Sequence, residues 1–198
     1  MDRWLGARAE GFWPPGRHDC PLSNSYEVVG STRSPAKTGM LHALGAEPVV
    51  VDAVADAVAK AEPEVIVHQL TALGGETSMR NVRRMAAATN RLRTEGTDHL
   101  LSAARAVGVR TFVAQSNAMW MERTGGPVAD ENGRIEPHPP EDAAPSVAAL
   151  RHLEDAVTGI TWADGIVLRY GAFYRGRGHR WSRLPRRPYG PPARPRRR

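Results

Sequence analysis

Five carboxylates, Asp130, Glu131, Glu136, Glu141 and Asp142, share one thirteen-residue stretch of the chain. Two carboxylates can divide the roles of general acid and general base when a rigid scaffold sets their separation and environment. These lie in a Pro-rich segment, residues 124–145, that offers no such scaffold, so a solvated loop is expected. The candidates for metal chemistry are His18, His42, His68, His99, His138, His152, His179 and the single cysteine, Cys20. No two of these histidines have helical ligand spacing and Cys20 stands alone, so no metal site is expected. His68 falls inside an apolar run, where a hydrogen-bonded core residue is the simpler reading. One cysteine excludes an intrachain disulfide framework and fits a reducing compartment.

The formal charge of +6 suggests a polyanion binder until its distribution is seen. Residues 175–198 hold ten arginines, five prolines and no acid, so the rest of the chain carries −4. That tail cannot bury an apolar face and repels itself, and disorder is expected. Trp181 and Tyr189 could stack on bases. The body carries no nucleic-acid-binding signature, so that class is the least favoured. No apolar run is long enough to span a membrane and residues 1–25 lack a signal-peptide core, so a cytoplasmic protein is expected.

The elements that would position any site follow from apolar runs and turn residues. Strands are predicted over residues 26–31, 48–51, 64–68, 111–115 and 165–169. Ser34-Pro35 opens a helix that Gly45 closes, and a second helix covers 53–61. A long helix is predicted from about Met79 to Val107, weakest at Gly96, and another from Ser146 to Val157. Residues 1–25, with Pro14-Pro15 and three glycines, read as irregular chain. Strands alternating with helices call for crossover connections and a parallel sheet.

Several stretches, in order, carry a family likeness. They are Glu27-Val28-Val29-Gly30-Ser31-Thr32-Arg33, Val65-Ile66-Val67-His68-Gln69-Leu70-Thr71-Ala72, Asn90 with Gly96-Thr97 and Leu100-Leu101, and Phe112-Val113-Ala114-Gln115-Ser116. A further one is Val167-Leu168-Arg169-Tyr170-Gly171-Ala172-Phe173-Tyr174. Over residues 26–174 the chain resembles the extended or atypical short-chain dehydrogenases, the NAD-dependent epimerase/dehydratase family. The resemblance implies an α/β fold: an incomplete Rossmann-like, doubly wound parallel sheet. Its first strand and Gly-rich turn are expected to be missing, as is a C-terminal substrate domain. Gly6, Gly11 and Gly16 do not form the dinucleotide fingerprint. Three segments result: an irregular 1–25, the NAD(P)-binding domain 26–174 and the Arg/Pro-rich tail 175–198.

The same resemblance implies the site. Thr32 and Arg33 would meet the adenosine ribose, and an arginine there favours NADP over NAD. Asp52 would face the adenine amino group or else cap the helix that follows. Leu70, Thr71 and Ala72 would line the cofactor, with Asn90 near the bend of the long helix. Ser116, or Asn117 if the register shifts by one, would be the catalytic hydroxyl position. The family's Tyr-x-x-x-Lys pair is absent, because the only lysines are Lys37 and Lys60. Its two positions fall at about Ser146 and Leu150. An NAD(P)-dependent oxidoreductase or nucleotide-sugar epimerase/dehydratase, impaired by these losses, is therefore expected, acting on a small-molecule substrate. The alternative is a non-catalytic protein of the same fold that senses dinucleotides or serves as an interaction module.

Overall fold

The computed structural model describes residues 3–8, 26–50, 53–72, 79–122 and 130–171. Six strands form one parallel sheet: β1 (Arg3–Arg8), β2 (Glu27–Thr32), β3 (Glu47–Val50), β4 (Val65–Gln69), β5 (Thr111–Asn117) and β6 (Asp164–Tyr170). Their spatial order is β3-β2-β1-β4-β5-β6. This is the doubly wound order, which reverses direction between β1 and β4 and opens a crevice there at the carboxyl ends of the strands.

The expectation of a missing first strand is corrected. Arg3–Arg8 pairs in parallel with β2 on one side, Arg3 opposite Glu27 through Ala7 opposite Ser31. On the other side it pairs with β4, Trp4 opposite Val65 through Arg8 opposite Gln69. Residues 3–8 are thus strand where irregular chain was expected. Its pattern hid it: arginine at both ends, glycine inside and no β-branched residue all count against a strand locally. Ladder hydrogen bonds on both edges override that preference. The glycine-rich turn would fall at 9–25, and the tail at 175–198; both lie outside the described residues.

The later strands form where the apolar runs predict them. Among the described residues five α-helices accompany them: α1 (Thr38–Ala43), α2 (Val54–Ala61), α3 (Met79–Arg93), α4 (Glu95–Val107) and α5 (Ala144–Thr158). Ile66, Phe112 and Ala114 of the sheet pack with Leu100, Ala104, Leu153 and Val157 of the helices in one buried cluster. The alternate residues Val65, Val67 and Val113 are half-buried, and Ile166 and Leu168 are exposed.

The single long helix predicted over 79–107 is broken at Thr94, two residues before the expected weak point. Thr94 has φ −97° and ψ −88°, and its amide and hydroxyl both return to the carbonyl of Asn90, at 3.0 and 3.1 Å. A threonine that bonds back to its own helix competes with the regular ladder, and Gly96 adds little to restore it. Laid end to end, α3 and α4 are roughly 40 Å long, whereas β4 spans roughly 17 Å. α4 therefore covers the sheet, and α3 overhangs its carboxyl edge.

Close packing sets a testable limit where β6 meets α5. A Cβ added at Gly165 would collide with the backbone carbonyl of Val157, whereas one added at Gly39 meets nothing within 4 Å. Gly165→Ala is expected to cost about 3 kcal/mol or more in urea unfolding, with Gly39→Ala near neutral or stabilising. Equal stability of the two variants would contradict this packing.

Candidate active site

In a parallel sheet every strand delivers its following loop to the same edge, so residues far apart in sequence meet there. Thr32 closes β2 with its hydroxyl oxygen accepting from the Ser34 amide at 3.1 Å. Arg33 follows with an exposed side chain. Leu70, Thr71 and Ala72 leave β4 half-buried. Asp52 lies outside the described residues. Thr32, Arg33 and the Leu70–Ala72 backbone share the edge that flanks the β1–β4 switch point. The exposed guanidinium beyond β2 suits an anionic group.

A neutral hydrogen-bond chain fastens the end of β4 to the helices. The Leu70 amide donates to His68 Nδ1 at 3.3 Å, which leaves the ring proton on Nε2. Nε2 donates to Thr97 Oγ1 at 3.0 Å, and that hydroxyl donates to the Arg93 carbonyl at 2.8 Å. Burial pushes the His68 pKa from 6.5 down to about 4. His68 is thus a satisfied core residue. Beside it the Ala72 amide donates to the buried Thr89 Oγ1 at 3.1 Å, tying the loop after β4 to α3.

A second network closes the β5–β6 side. Ser116 is 1% exposed and donates its hydroxyl to Oε1 of Glu154 on α5. Arg169, the register partner of Ser116 on β6, grips the same carboxylate. Its Nε lies 3.0 Å from Oε1 and its Nη2 2.6 Å from Oε2. Arg169 Nη1 donates onward to the carbonyls of Gly133 at 2.6 Å and Glu131 at 3.3 Å. One guanidinium thereby joins the helix, the strand and the loop between β5 and α5. Hydrogen bonding to Glu154 holds the Arg169 pKa above its ordinary value. Asn117 serves the 3₁₀ turn after β5, its side-chain oxygen accepting from the Met119 amide at 2.6 Å.

Neither Glu154 nor the role of Arg169 was read from the sequence, although a signal existed. Glu154 continues the helical spacing of Val147, Leu150 and Leu153, and Arg169 interrupts an apolar strand. Two opposite charges on buried faces must find each other. The acidic loop behaves as expected: Asp130, Glu131, Glu141 and Asp142 are exposed. A cleft of about 490 Å³ lies between this loop and α5, with Arg134, Arg151 and Arg169 among its walls.

The third polar contact crosses between α3 and α5. Asn90 Nδ2 donates to Ser146 Oγ at 3.3 Å. Asn90 Oδ1 is buried with no hydrogen-bond partner, the only such side-chain atom among the described residues.

The comparisons agree with this architecture. No family model matches the chain. The 3-diazoavenalumate denitrifying reductase of a Streptomyces species is 41% identical over 161 residues, which take in 78% of this chain and 52% of that protein. The chain therefore spans about half the length of the curated relative that it matches. Among solved structures, the UDP-glucose 4-epimerase of Brucella ovis in complex with NAD is 16% identical with a TM-score of 0.57, over 86% of this chain and 52% of that one. An NAD-dependent NDP-hexosamine 5,6-dehydratase involved in tunicamycin biosynthesis is 15% identical with a TM-score of 0.58, over 85% and 54%. The UDP-glucose 4-epimerase of Thermotoga maritima is 19% identical with a TM-score of 0.54, over 84% and 54%. The class defined by fold and edge is thus a Rossmann-like α/β domain. More particularly, its sheet is similar to those of the NAD-dependent epimerases and dehydratases among these structures. Among the described residues no helix is long and apolar enough to cross a membrane.

Two measurements test these networks. Because the folded pKa of His68 lies below its unfolded value, the unfolded chain binds the extra proton between them. Its contribution is fully present above pH 6.5 and is lost as pH falls from 6.5 through about 4, on the order of 3 kcal/mol in all. Urea unfolding should show part of this loss, about 2 kcal/mol, between pH 7 and pH 5, and His68→Phe should flatten the difference. Arg169→Met strands a buried carboxylate and is expected to cost about 3–5 kcal/mol, most of it recovered in the double variant with Glu154→Leu. A double variant no more stable than Arg169→Met would show that the pair is not the source of the loss.

Proposed function

We propose that this chain carries the dinucleotide-binding domain of an NAD(P)-dependent reductase that prefers NADP. The observation that carries the reading is the β1–β4 switch point, with Thr32 and Arg33 at the end of one strand and Leu70–Ala72 at the end of another. Arg33 can pair with a 2′-phosphate and stack on adenine, which a carboxylate in its place could not do. The likeness to a denitrifying reductase favours net reduction over epimerisation.

The substrate class follows from the same relative and from the chemistry of the edge. The chain has no Tyr-x-x-x-Lys pair, since Lys37 and Lys60 are its only lysines. Alcohol–ketone interconversion, which must move a proton with each hydride, is impaired on this account. Replacement of a diazonium group by hydride releases dinitrogen and forms one C–H bond, and it consumes no proton. A bound reduced nicotinamide would supply that hydride. Thr32, Arg33 and Leu70–Ala72 would hold and orient it, while the His68 and Arg169 networks keep the edge rigid. A diazo or diazonium compound is therefore the proposed substrate class.

Calorimetric titration with NADPH and NADH is the direct test. Micromolar NADPH binding is expected, weaker NADH binding, and about a tenfold loss of NADPH affinity in Arg33→Ala with little change for NADH. No binding of either cofactor would overturn the reading. The second reading, a non-catalytic dinucleotide sensor, rests on the absent Tyr-x-x-x-Lys pair; it requires NADPH binding without NADPH oxidation when ortho-hydroxybenzenediazonium is added.

A further inference from the structure

We propose that Arg93 is an anion-binding residue of the carboxyl edge, and that the anion it takes is a carboxylate on the small-molecule substrate. Arg93 closes α3 and is half-buried. Among the described residues its guanidinium has no hydrogen bond and no ion pair. The acids that follow it in sequence are engaged elsewhere, Glu95 by Arg91 at 2.9 Å and Asp98 by His152 at 2.8 Å. Burial alone pushes the Arg93 pKa below its ordinary value, with no carboxylate to raise it again. Arg169, also half-buried, is the contrast: Glu154 pairs with it and holds its pKa up. A charge withdrawn from water without a partner costs free energy that pairing would return. Perturbed groups of this kind concentrate at functional sites.

Placement supports the same assignment. Arg93 lies four residues after Thr89 and four before Thr97, so it shares the helix face that those threonines turn to β4. Thr89 Oγ1 accepts from the Ala72 amide, and Thr97 Oγ1 meets His68 Nε2. Arg93 is therefore level with residues 68–72, where β4 ends and its loop opens on the carboxyl edge. Its positive charge also reaches His68 and helps to keep that imidazole neutral.

A free guanidinium presents a planar donor fork that meets an oxyanion with two parallel hydrogen bonds. Carboxylates and phosphates share that geometry, and position separates them. In a fold of this kind the pyrophosphate of a dinucleotide sits at the turn after the first strand. The 2′-phosphate falls to Arg33, beyond β2. Both belong to the β1–β2 side of the crevice, whereas Arg93 is reached from the β4 side. The anion left for Arg93 is carried by the second ligand. A diazonium group is itself cationic, so Arg93 opposes a substrate without an anion and favours one that brings its own carboxylate.

This assignment rests on the proposed reductase reading, and two measurements separate their failures. With no ligand present, Arg93→Met keeps the packing of the stem and removes the unpaired charge. Its Tm is expected to rise by about 3 °C. A fall in Tm would reveal a structural partner for Arg93 and overturn the assignment. The full chain with NADPH is then assayed on benzenediazonium and on its 3-carboxy and 4-carboxy derivatives. The wild-type KM should be about tenfold lower for one of the carboxylated probes than for the plain one. Arg93→Met is expected to raise that KM about tenfold and to lower the KM for benzenediazonium, with NADPH affinity kept within about twofold. Arg93→Lys, which keeps the charge and loses the fork, should recover part of the loss. Two KM values that move in the same direction, or a wild-type chain that prefers neither carboxylated probe, would overturn the assignment and leave the reductase reading intact. A loss of NADPH affinity of about tenfold in Arg93→Met would give Arg93 to a cofactor phosphate and overturn it too. A wild-type chain that binds no NADPH would overturn both.

Discussion

Six residues join the two halves of this domain's sheet. β2 and β3 form one half of the sheet, β4, β5 and β6 the other, and the only shared edge between them is β1. Alternate residues of Arg3–Arg8 turn their amides and carbonyls to opposite neighbours, so both edges of the strand are paired. Backbone groups inside a parallel sheet cannot be left unpaired without a penalty of a few kcal/mol apiece. Remove β1, and β2 and β4 would both expose a bare ladder, and the crevice between them would have no floor. Every statement about the carboxyl edge therefore depends on this short strand.

The edge built on that sheet is fixed by polar contacts and not by apolar packing alone. His68 reaches from β4 to α4 through Thr97, and Thr89 reaches from α3 to the loop after β4. Arg169 ties β6 to α5 and to the carbonyls of residues 131 and 133. Buried charges and imidazoles are poor sources of net stability, because the desolvation they suffer offsets much of what pairing returns. They are directional, however. Apolar contacts set no preferred direction between groups, whereas a bidentate guanidinium–carboxylate contact fixes both distance and angle. Such contacts suit an edge that must present backbone and hydroxyl groups at set positions.

Much of this was legible in the residues. The runs at Tyr26–Ser31, Glu64–His68 and Thr111–Gln115 become strands that put buried residues into the core, and those that begin at Pro48 and Gly165 become the two edge strands of the sheet. The helix stops at Gly45 and Gly108 are real: both glycines have φ near +77°, the left-handed region that ends a helix without strain. His68 was rightly read as a bonded core residue. β1 was not legible, since arginines and a glycine obscure a strand that only its neighbours stabilise. Thr94 and not Gly96 breaks the long helix, because a hydroxyl returning to Asn90 outweighs a missing side chain. Glu154 escaped notice because its partner lies fifteen residues away on another element.

The sequence by itself determined the local elements, their alternation, the family likeness over residues 26–174, and the separation of a mildly acidic body from an arginine-rich tail. These depend on periodicity, turn chemistry and composition, which neighbouring residues carry. Tertiary structure alone decided that Arg3–Arg8 is a strand and that Ser116 turns inward to Glu154 while Ser146 meets Asn90. Those outcomes depend on ladder bonds and on buried donors finding acceptors across the chain. No local pattern encodes them, because the partner is brought into range only when the sheet closes.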